Sequence, residues 1–344
     1  LSVNPRCLNT FGGFPLLRKL HARPSDDPPL PDFKESHMYK HLTQHFFKDM
    51  AEYRHFMCSM ADMIQQPSTV RTNNARIFIS KQGCGKELLF KWASKMIGSD
   101  NSYKIQKAKD YFTSDFNADS SGKMLKCFEE LAEQGAAYKY ADLLKCLIEA
   151  RKEKVNGKNC PIYWQLCYCV YWMFTNNEHK PLHLEPGDRR YTVHALKCDK
   201  AQDASHFNPL WKELEDVRMM MSWFRHLMTM KYDTSEVMHA MKTQAKSNMI
   251  QKCFPQPVHF VLRQFEKGWP SQYVSDDGQT VRIPAKDFTE LSGTYCCQEG
   301  ANIKRAVLYS TLKSKMGLEK KQMRFGPKTA MALEFTRDGI QASL

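Results

Sequence analysis

Apolar positions along this chain change their period three times. Between residues 36 and 66, Met38, Leu42, Phe46, Met50, Tyr53, Met57, Met60 and Ile64 recur every three or four places, the stripe of one helix face, and Pro67 ends it. Short apolar runs then alternate with helical stretches. Ile77-Phe78-Ile79 reads as a buried strand, and Leu88, Leu89, Phe90, Trp92, Met96 and Ile97 as the helix behind it. Met124, Leu125, Cys127 and Phe128 form another short run, residues 141–150 a helix, and residues 162–174 a dense strand-like run. A further strand opens at Tyr191, residues 207–232 have helical period, and 234–252 continue it. Strands alternating with helices predict an α/β fold with a parallel sheet flanked by helices.

The pattern loosens at both ends. Pro5, Pro15, Pro24, Pro28, Pro29 and Pro31 mark residues 1–35 as a linker or ordered arm. Pro255, Pro257, Pro270 and Gly278 mark residues 253–283 as a second linker. Beyond Pro284, residues 287–291 and 306–316 read as short helices, and Arg324-Phe325 with 330–337 as a small β wing. The expected organisation is therefore an arm (1–35), a helical segment (36–70), an α/β core (71–205), a helical bundle (206–252), a linker (253–283) and a terminal module (284–344).

Candidate chemistry starts at the first strand. Arg76-Ile-Phe-Ile-Ser-Lys-Gln-Gly-Cys-Gly-Lys-Glu87 is a strand, a glycine loop, a lysine and a helix start, the order of a phosphate-cradling P-loop. Glycines let backbone N–H groups turn toward a phosphate, and the helix N-terminus adds partial positive charge. Two positions depart from G-x-x-x-x-G-K-[ST]: Ser80 stands at the first glycine and Glu87 at the Mg²⁺-binding hydroxyl. The same letters also fit an ordinary Gly-x-Gly-Lys loop.

Downstream, the run 123–130 ends in Glu129-Glu130, the form of a Walker B strand whose carboxylates hold a metal and polarise water. It also fits an amphipathic helix with a surface Glu pair. Residues 151–158 are basic, with Asn156-Gly157 as a hairpin-turn signal and Lys154 and Lys158 suited to phosphate contacts or to a solvated turn. Asn176 follows an apolar strand, where a polar side chain can orient water against a γ-phosphate. Arg189-Arg190 precede another strand, and arginine forks onto phosphate oxygens. Ordinary polarity at strand ends accounts for both as well.

Charge adds a direction. Of 344 residues, 50 are Lys or Arg and 37 Asp or Glu, a net +13 that favours a polyanionic partner such as nucleic acid. By count, residues 284–344 hold ten Lys/Arg against six Asp/Glu. No run of apolar residues is long enough to span a membrane, and residues 1–20 are unlike a signal peptide. The 12 cysteines are scattered; Cys167-x-Cys169 and Cys296-Cys297 are poorly spaced for a shared metal, so reduced thiols in an intracellular protein are expected.

Taken in order, Gly-Cys-Gly-Lys, Phe-Glu-Glu, a basic hairpin, Phe-Thr-Asn-Asn and Gly-Asp-Arg-Arg-Tyr resemble the superfamily 3 helicase domain of viral, phage and mobile-element primase-helicases. The likeness is nearest to poxvirus-type and large-DNA-virus replication proteins. It covers residues 60–200 and includes Ile64-Gln65-Gln66-Pro67. The resemblance implies an AAA+-like P-loop sheet behind a helical N-terminal segment, with a winged-helix nucleic-acid-binding module at the C-terminal end. It implies ATP and Mg²⁺ as cofactors, with Gly83, Cys84, Gly85, Lys86 and Glu87 at the nucleotide. Glu129 and Glu130 look like the Walker B acids, Glu129 and Glu87 like the metal residues, and Asn176 like the sensor. Arg189 and Arg190 look like an arginine-finger pair acting on nucleotide held by a neighbouring subunit, and Lys154 and Lys158 like DNA contacts. Glu129, where aspartate is commoner, is a third departure.

The implied protein is an ATP-dependent DNA helicase of viral or mobile-element replication, a homo-oligomeric ring (hexamer) on single-stranded or forked DNA. It would be virus-encoded, act in the cytoplasm or nucleus of a host cell, and could follow a primase domain upstream of Leu1. Two alternatives stay open: a nucleic-acid remodelling or packaging NTPase, and a hydrolysis-deficient P-loop loading factor that binds DNA.

Overall fold

A computed structural model describes residues 11–72, 75–129, 140–176, 182–185, 187–276, 278–298 and 303–343. The chain divides into two compact units, Leu1–Met249 and Ile250–Leu344.

The strands are, in chain order, β1 Ala75–Ile79, β2 Ser102–Ile105, β3 Leu125–Phe128, β4 Lys152–Val155, β5 Tyr163–Leu166, β6 Val170–Thr175, β7 Tyr191–Ala195, β8 Thr280–Pro284, β9 Lys321–Phe325 and β10 Lys328–Thr336. The first unit holds a five-stranded parallel sheet in the order β2-β3-β6-β1-β7. β1, β3 and β6 are buried at every position, which is why they read as continuous apolar runs rather than alternating ones. The apolar run at 124–128 is thus a strand and not an amphipathic helix.

The helical segment is not one helix. A short helix His37–Lys40 passes into a π-helical turn His41–Phe46, and a new helix, Met50–Gln65, starts after a break. Phe46 and Phe47 are both fully buried, and Asp49 caps the new helix by accepting from Glu52 N–H at 2.9 Å. Two adjacent rings cannot both enter a core from one face of a helix, so the chain turns there. The helical stretch predicted at 207–232 is likewise divided, into Ala204–Glu213 and Val217–Thr229, where Asp216 accepts from Arg218 and Met219 N–H.

The proline-rich arm packs into this core. Phe14, Leu16 and Leu30 are buried, and the Phe14 ring lies 5.7 Å from that of Phe224. Within β1, Arg76 is 1% exposed; its guanidinium donates to His194 Nε2 (3.1 Å) and to the His55 carbonyl (3.0 Å). His194 Nδ1 meets Glu52 Oε2 at 2.7 Å, and burial raises the Glu52 carboxyl to about 7.

The apolar run 162–174 splits in two. β5 leaves the sheet to pair antiparallel with β4, while β6 enters the middle of it. The β4–β5 connection is also longer than a two-residue turn at Asn156-Gly157: it spans residues 156–162, and its left-handed residue is Asn159 (φ 60°). Buried Lys126 of β3 ties the hairpin down by pairing with Glu153 Oε2 at 2.8 Å.

In the second unit, helix Gln256–Lys267 and β8 occupy most of the stretch expected to be a linker. Pro257 stands in the first turn of that helix, where a missing N–H costs nothing, so this proline starts structure instead of breaking it. Helices Ala285–Gln298 and Arg305–Met316 follow, then β9 and β10, in an antiparallel sheet ordered β8-β10-β9. Phe260, Ile283, Phe288, Leu312 and Leu333 form its core. Among the described residues, no helix is long and apolar enough to cross a membrane.

Candidate active site

Parallel sheets bind ligands beyond the C-terminal ends of their strands, beside the place where chain order reverses. Here that place is β1, flanked by β6 and β7. Pairing of Ile79 with Thr175 puts Ser80 next to Asn176, and Ser80 N–H donates to the Thr175 carbonyl at 3.2 Å.

The chain then turns through the glycine loop into helix Lys86–Ile97. Gly83 (φ +83°) and Gly85 (φ +87°) are both left-handed. A Cβ on Gly83 would stand 2.6 Å from the Gln202 side chain, and one on Gly85 2.9 Å from the Phe207 ring. Neither position admits another residue without distortion. Gly85 caps the helix with no side-chain hydrogen bond, leaving the first-turn N–H groups available to an anion.

Lys86 reaches back across the loop. Its Nζ donates to Asn176 Oδ1 at 2.7 Å, Ser80 Oγ at 2.6 Å, the Ser80 carbonyl at 3.2 Å and the Thr175 carbonyl at 3.3 Å. Ser80 and Asn176, 96 positions apart, thus meet on one ammonium. Ser80 is 2% exposed, and its hydroxyl provides a contact that the expected glycine could not.

Glu129 and Glu87 also come together, through a residue the sequence reading missed. Lys104 of β2 pairs with Glu129 and lies 3.4 Å from Glu87 Oε1. Partial burial works against the Lys104 charge, but the two carboxylates outweigh it and hold this amine above the ordinary lysine range. The signal was available only as a lone lysine on a short polar strand. Two hard oxygen donors converging on one cation are a donor set suited to Mg²⁺, which takes one or two carboxylates and completes its shell with water and phosphate. Glu130 lies outside the described residues.

The arginines are elsewhere. Arg190 immediately precedes β7, whose Tyr191 pairs with Ala75 at the start of β1, so both arginines sit at the N-terminal edge of the sheet. That is a full strand length, roughly 16 Å, from the edge carrying the glycine loop. The two also differ from each other. Arg190 binds Asp188 Oδ2 (3.1 Å) and Glu149 Oε1 (2.8 Å), whereas the Arg189 side chain is 74% exposed and lies 3.7 Å from Glu149.

Lys154 and Lys158 are exposed on and beyond β4. Lys154 stands opposite Trp164, which is 65% exposed, and Lys152 opposite Leu166, which is 43% exposed. One face of the hairpin therefore carries lysines interleaved with large apolar side chains.

The cysteines correct an expectation. Cys84, within the glycine loop, is joined to Cys198 in a disulfide, so not all of the thiols are reduced. Cys198 lies just after β7, on a segment only tertiary structure brings against the loop.

Residues 78–190 match the model of a family of unknown function, DUF5906, about a third of the chain. No curated protein matches. The fold is shared with the solved apo structure of the NrS-1 C-terminal region, at a TM-score of 0.69 and 18% identity over 94% of this chain and 79% of that one. A second form of that region, the A form apo structure, gives the same TM-score and identity over 95% and 80%. JCV helicase, solved with a bound thiazolopyridine compound, is a much looser likeness, with a TM-score of 0.40 and 10% identity over 83% and 71%.

Proposed function

We propose that the first unit is an ATP-hydrolysing motor core of the superfamily 3 helicase type, working as an oligomeric ring on DNA. The observation that carries this reading is Lys86. It is held by Ser80 and Asn176 behind a doubly left-handed glycine loop, in front of an uncapped helix N-terminus at the switch point of a parallel sheet. The strand order β2-β3-β6-β1-β7, with β1 flanked by β6 and β7, supports the same reading.

In this reading the loop amides of residues 83–87 cradle the β-phosphate, and Lys86 exchanges its contact with Asn176 for a γ-phosphate oxygen. Asn176, released, orients the attacking water, and Glu130 accepts its proton. Glu129 and Glu87 would hold Mg²⁺, which when bound neutralises charge on the phosphate oxygens. Arg189 reaches the nucleotide of a neighbouring copy, since the opposite sheet edge bars it from its own. Arg190, pinned by Asp188 and Glu149, positions that turn.

Lys154 and Lys158 contact DNA phosphates, with Trp164 beside them offering a π-face to a base. The second unit supports DNA engagement as well. In this reading it is a winged-helix module, supported by the order helix, strand, two helices and two strands before helix Arg337–Ser343, with Lys313 and Lys315 exposed on helix Arg305–Met316 and Lys321, Arg324 and Lys328 on the β9–β10 wing.

The pairing of Lys104 with both candidate metal carboxylates favours a second reading, a nucleotide-dependent DNA-loading factor with little turnover. ATPase rate with and without single-stranded DNA, for the wild type and Lys86→Ala, separates them. DNA-stimulated turnover lost in the variant is expected; no turnover in either protein refutes the motor. Strand displacement on a forked duplex then distinguishes a helicase from a packaging or remodelling NTPase.

A further inference from the structure

The loop that carries Lys86 is strapped from outside. Cys84 lies between the two left-handed glycines and is 3% exposed. Its sulfur is bonded to Cys198, 114 residues further on, with the two Cα atoms 5.4 Å apart. Four residues beyond Cys198, Gln202 N–H donates to the Gly83 carbonyl at 3.2 Å. This strap is itself anchored. Leu196 N–H donates to the Ile79 carbonyl (2.9 Å), Lys197 N–H to the Phe46 carbonyl (2.9 Å), and Asp199 meets His45 Nδ1 at 2.7 Å. Among the described residues it is the one disulfide of the chain, and it falls within the loop proposed to hold phosphate.

We propose that Cys84 and Cys198 form a reversible thiol–disulfide site that sets the nucleotide affinity of the loop. The inference rests on the reading of that loop as a phosphate site. A glycine-rich loop must give up its freedom when it closes on phosphate, and a covalent strap removes part of that freedom beforehand. The oxidised protein is the pre-organised, tight-binding form, and the reduced protein the loose one.

The half-buried Cys198 is the sulfur reached from solvent. Its thiolate attacks glutathione disulfide, releasing one glutathione thiolate and forming a mixed disulfide. The Cys84 thiolate then displaces the second glutathione and closes the bond. Two protein thiols lose two electrons and two protons, and one glutathione disulfide becomes two thiols. Pairs of this kind in reducing compartments act as switches rather than staples.

The test uses the full chain equilibrated with glutathione disulfide or with dithiothreitol. Non-reducing peptide mapping by mass spectrometry reports the 84–198 linkage, and a fluorescent ATP analogue reports affinity. Ordering the loop in advance is worth about tenfold in Kd if it spares roughly one side chain's worth of freedom. Oxidised wild type should therefore bind about tenfold more tightly than reduced, with Cys198→Ser matching the reduced form in both buffers.

Equal affinity in both wild-type states with the linkage confirmed, or failure of the linkage to form, overturns the proposal without variants. Hydrogen exchange at the amides of residues 82–87 separates the two layers. Exchange slowed by oxidation with no nucleotide bound in either state refutes the phosphate-site reading and leaves the strap standing. Unchanged exchange with no binding refutes both.

Discussion

Lys126→Met tests how the β4–β5 hairpin is fixed to the sheet. The Lys126 side chain is 1% exposed and that of Glu153 10%, and they meet at 2.8 Å. Glu153 also accepts from Gly122 N–H (2.9 Å) and Gln165 Nε2 (2.6 Å). Burial works against both charges, yet the Lys126 amine is held above, and the Glu153 carboxyl below, its ordinary range by the groups around it.

Removing one partner of a buried pair costs about 3–5 kcal/mol, because the other charge is left uncompensated. The two remaining donors on Glu153 place the expected loss at the lower end, about 3 kcal/mol. Glu153→Gln added to Lys126→Met should recover part of it, since no isolated charge is then buried. The sign with pH follows. A depressed carboxyl stabilises the fold above its unfolded value of 4.5, and that stability fades as pH falls through the folded pKa. Without Lys126 the Glu153 carboxyl takes up its proton more readily, so the deficit of the single variant should shrink as the solution is acidified below pH 4.5.

Urea unfolding at pH 7 and hydrogen exchange of the 152–155 and 163–166 amides measure this. A loss below 1 kcal/mol, or one that Glu153→Gln does not relieve, would show that the hairpin is held by something else.

Three further outcomes follow from the structure. Arg189→Ala should leave stability within about 0.5 kcal/mol, since its side chain is mostly in solvent, while lowering turnover about 10³-fold. Mixing it with Lys86→Ala subunits should restore activity that neither has alone, and full activity of Arg189→Ala by itself would exclude the finger. Arg190→Ala should instead cost about 2 kcal/mol, because it takes from Glu149 its 2.8 Å partner and from Asp188 one of two cationic partners, Lys246 remaining. His41, packed against Gly85 and 3.0 Å from His206, has its pKa lowered from 6.5 to about 3, first by burial and then by His206 and His45. The unfolded chain takes up that proton first, so stability is greatest above pH 6.5 and falls by about 2 kcal/mol between pH 6.5 and 5 on account of this group. His41→Asn should flatten the urea midpoint against pH; a slope equal to wild type would refute the assignment. His55, lowered to about 3 as well, contributes its own share in both proteins.

Periodicity and local chemistry determined a good deal by themselves. β1 was legible because a buried parallel strand is a short apolar run, and helix Lys86–Ile97 because its stripe begins at the glycine loop, whereas the run that became β3 fitted a helix equally well. The left-handed turns at Gly83 and Gly85 were legible because glycine adopts a positive φ without steric cost. The breaks at Phe47 and Asp216, and the division of 162–174 into β5 and β6, were not, because the apolar pattern continues through a turn when both sides are buried. Pro257 looked like a breaker only because its place in a first turn depends on where the helix starts.

What tertiary structure alone decided is who meets whom. Lys86 and Asn176 share a hydrogen bond through the pairing of β1 with β6. Lys104 lies between Glu87 and Glu129 through the pairing of β2 with β3. Arg189 is set on the far edge by the register of β7, and Cys198 reaches the loop through a strap that follows that strand. Local sequence fixes the conformations a segment prefers, but contacts between segments 90 or 114 residues apart depend on strand order, which only the packed sheet supplies.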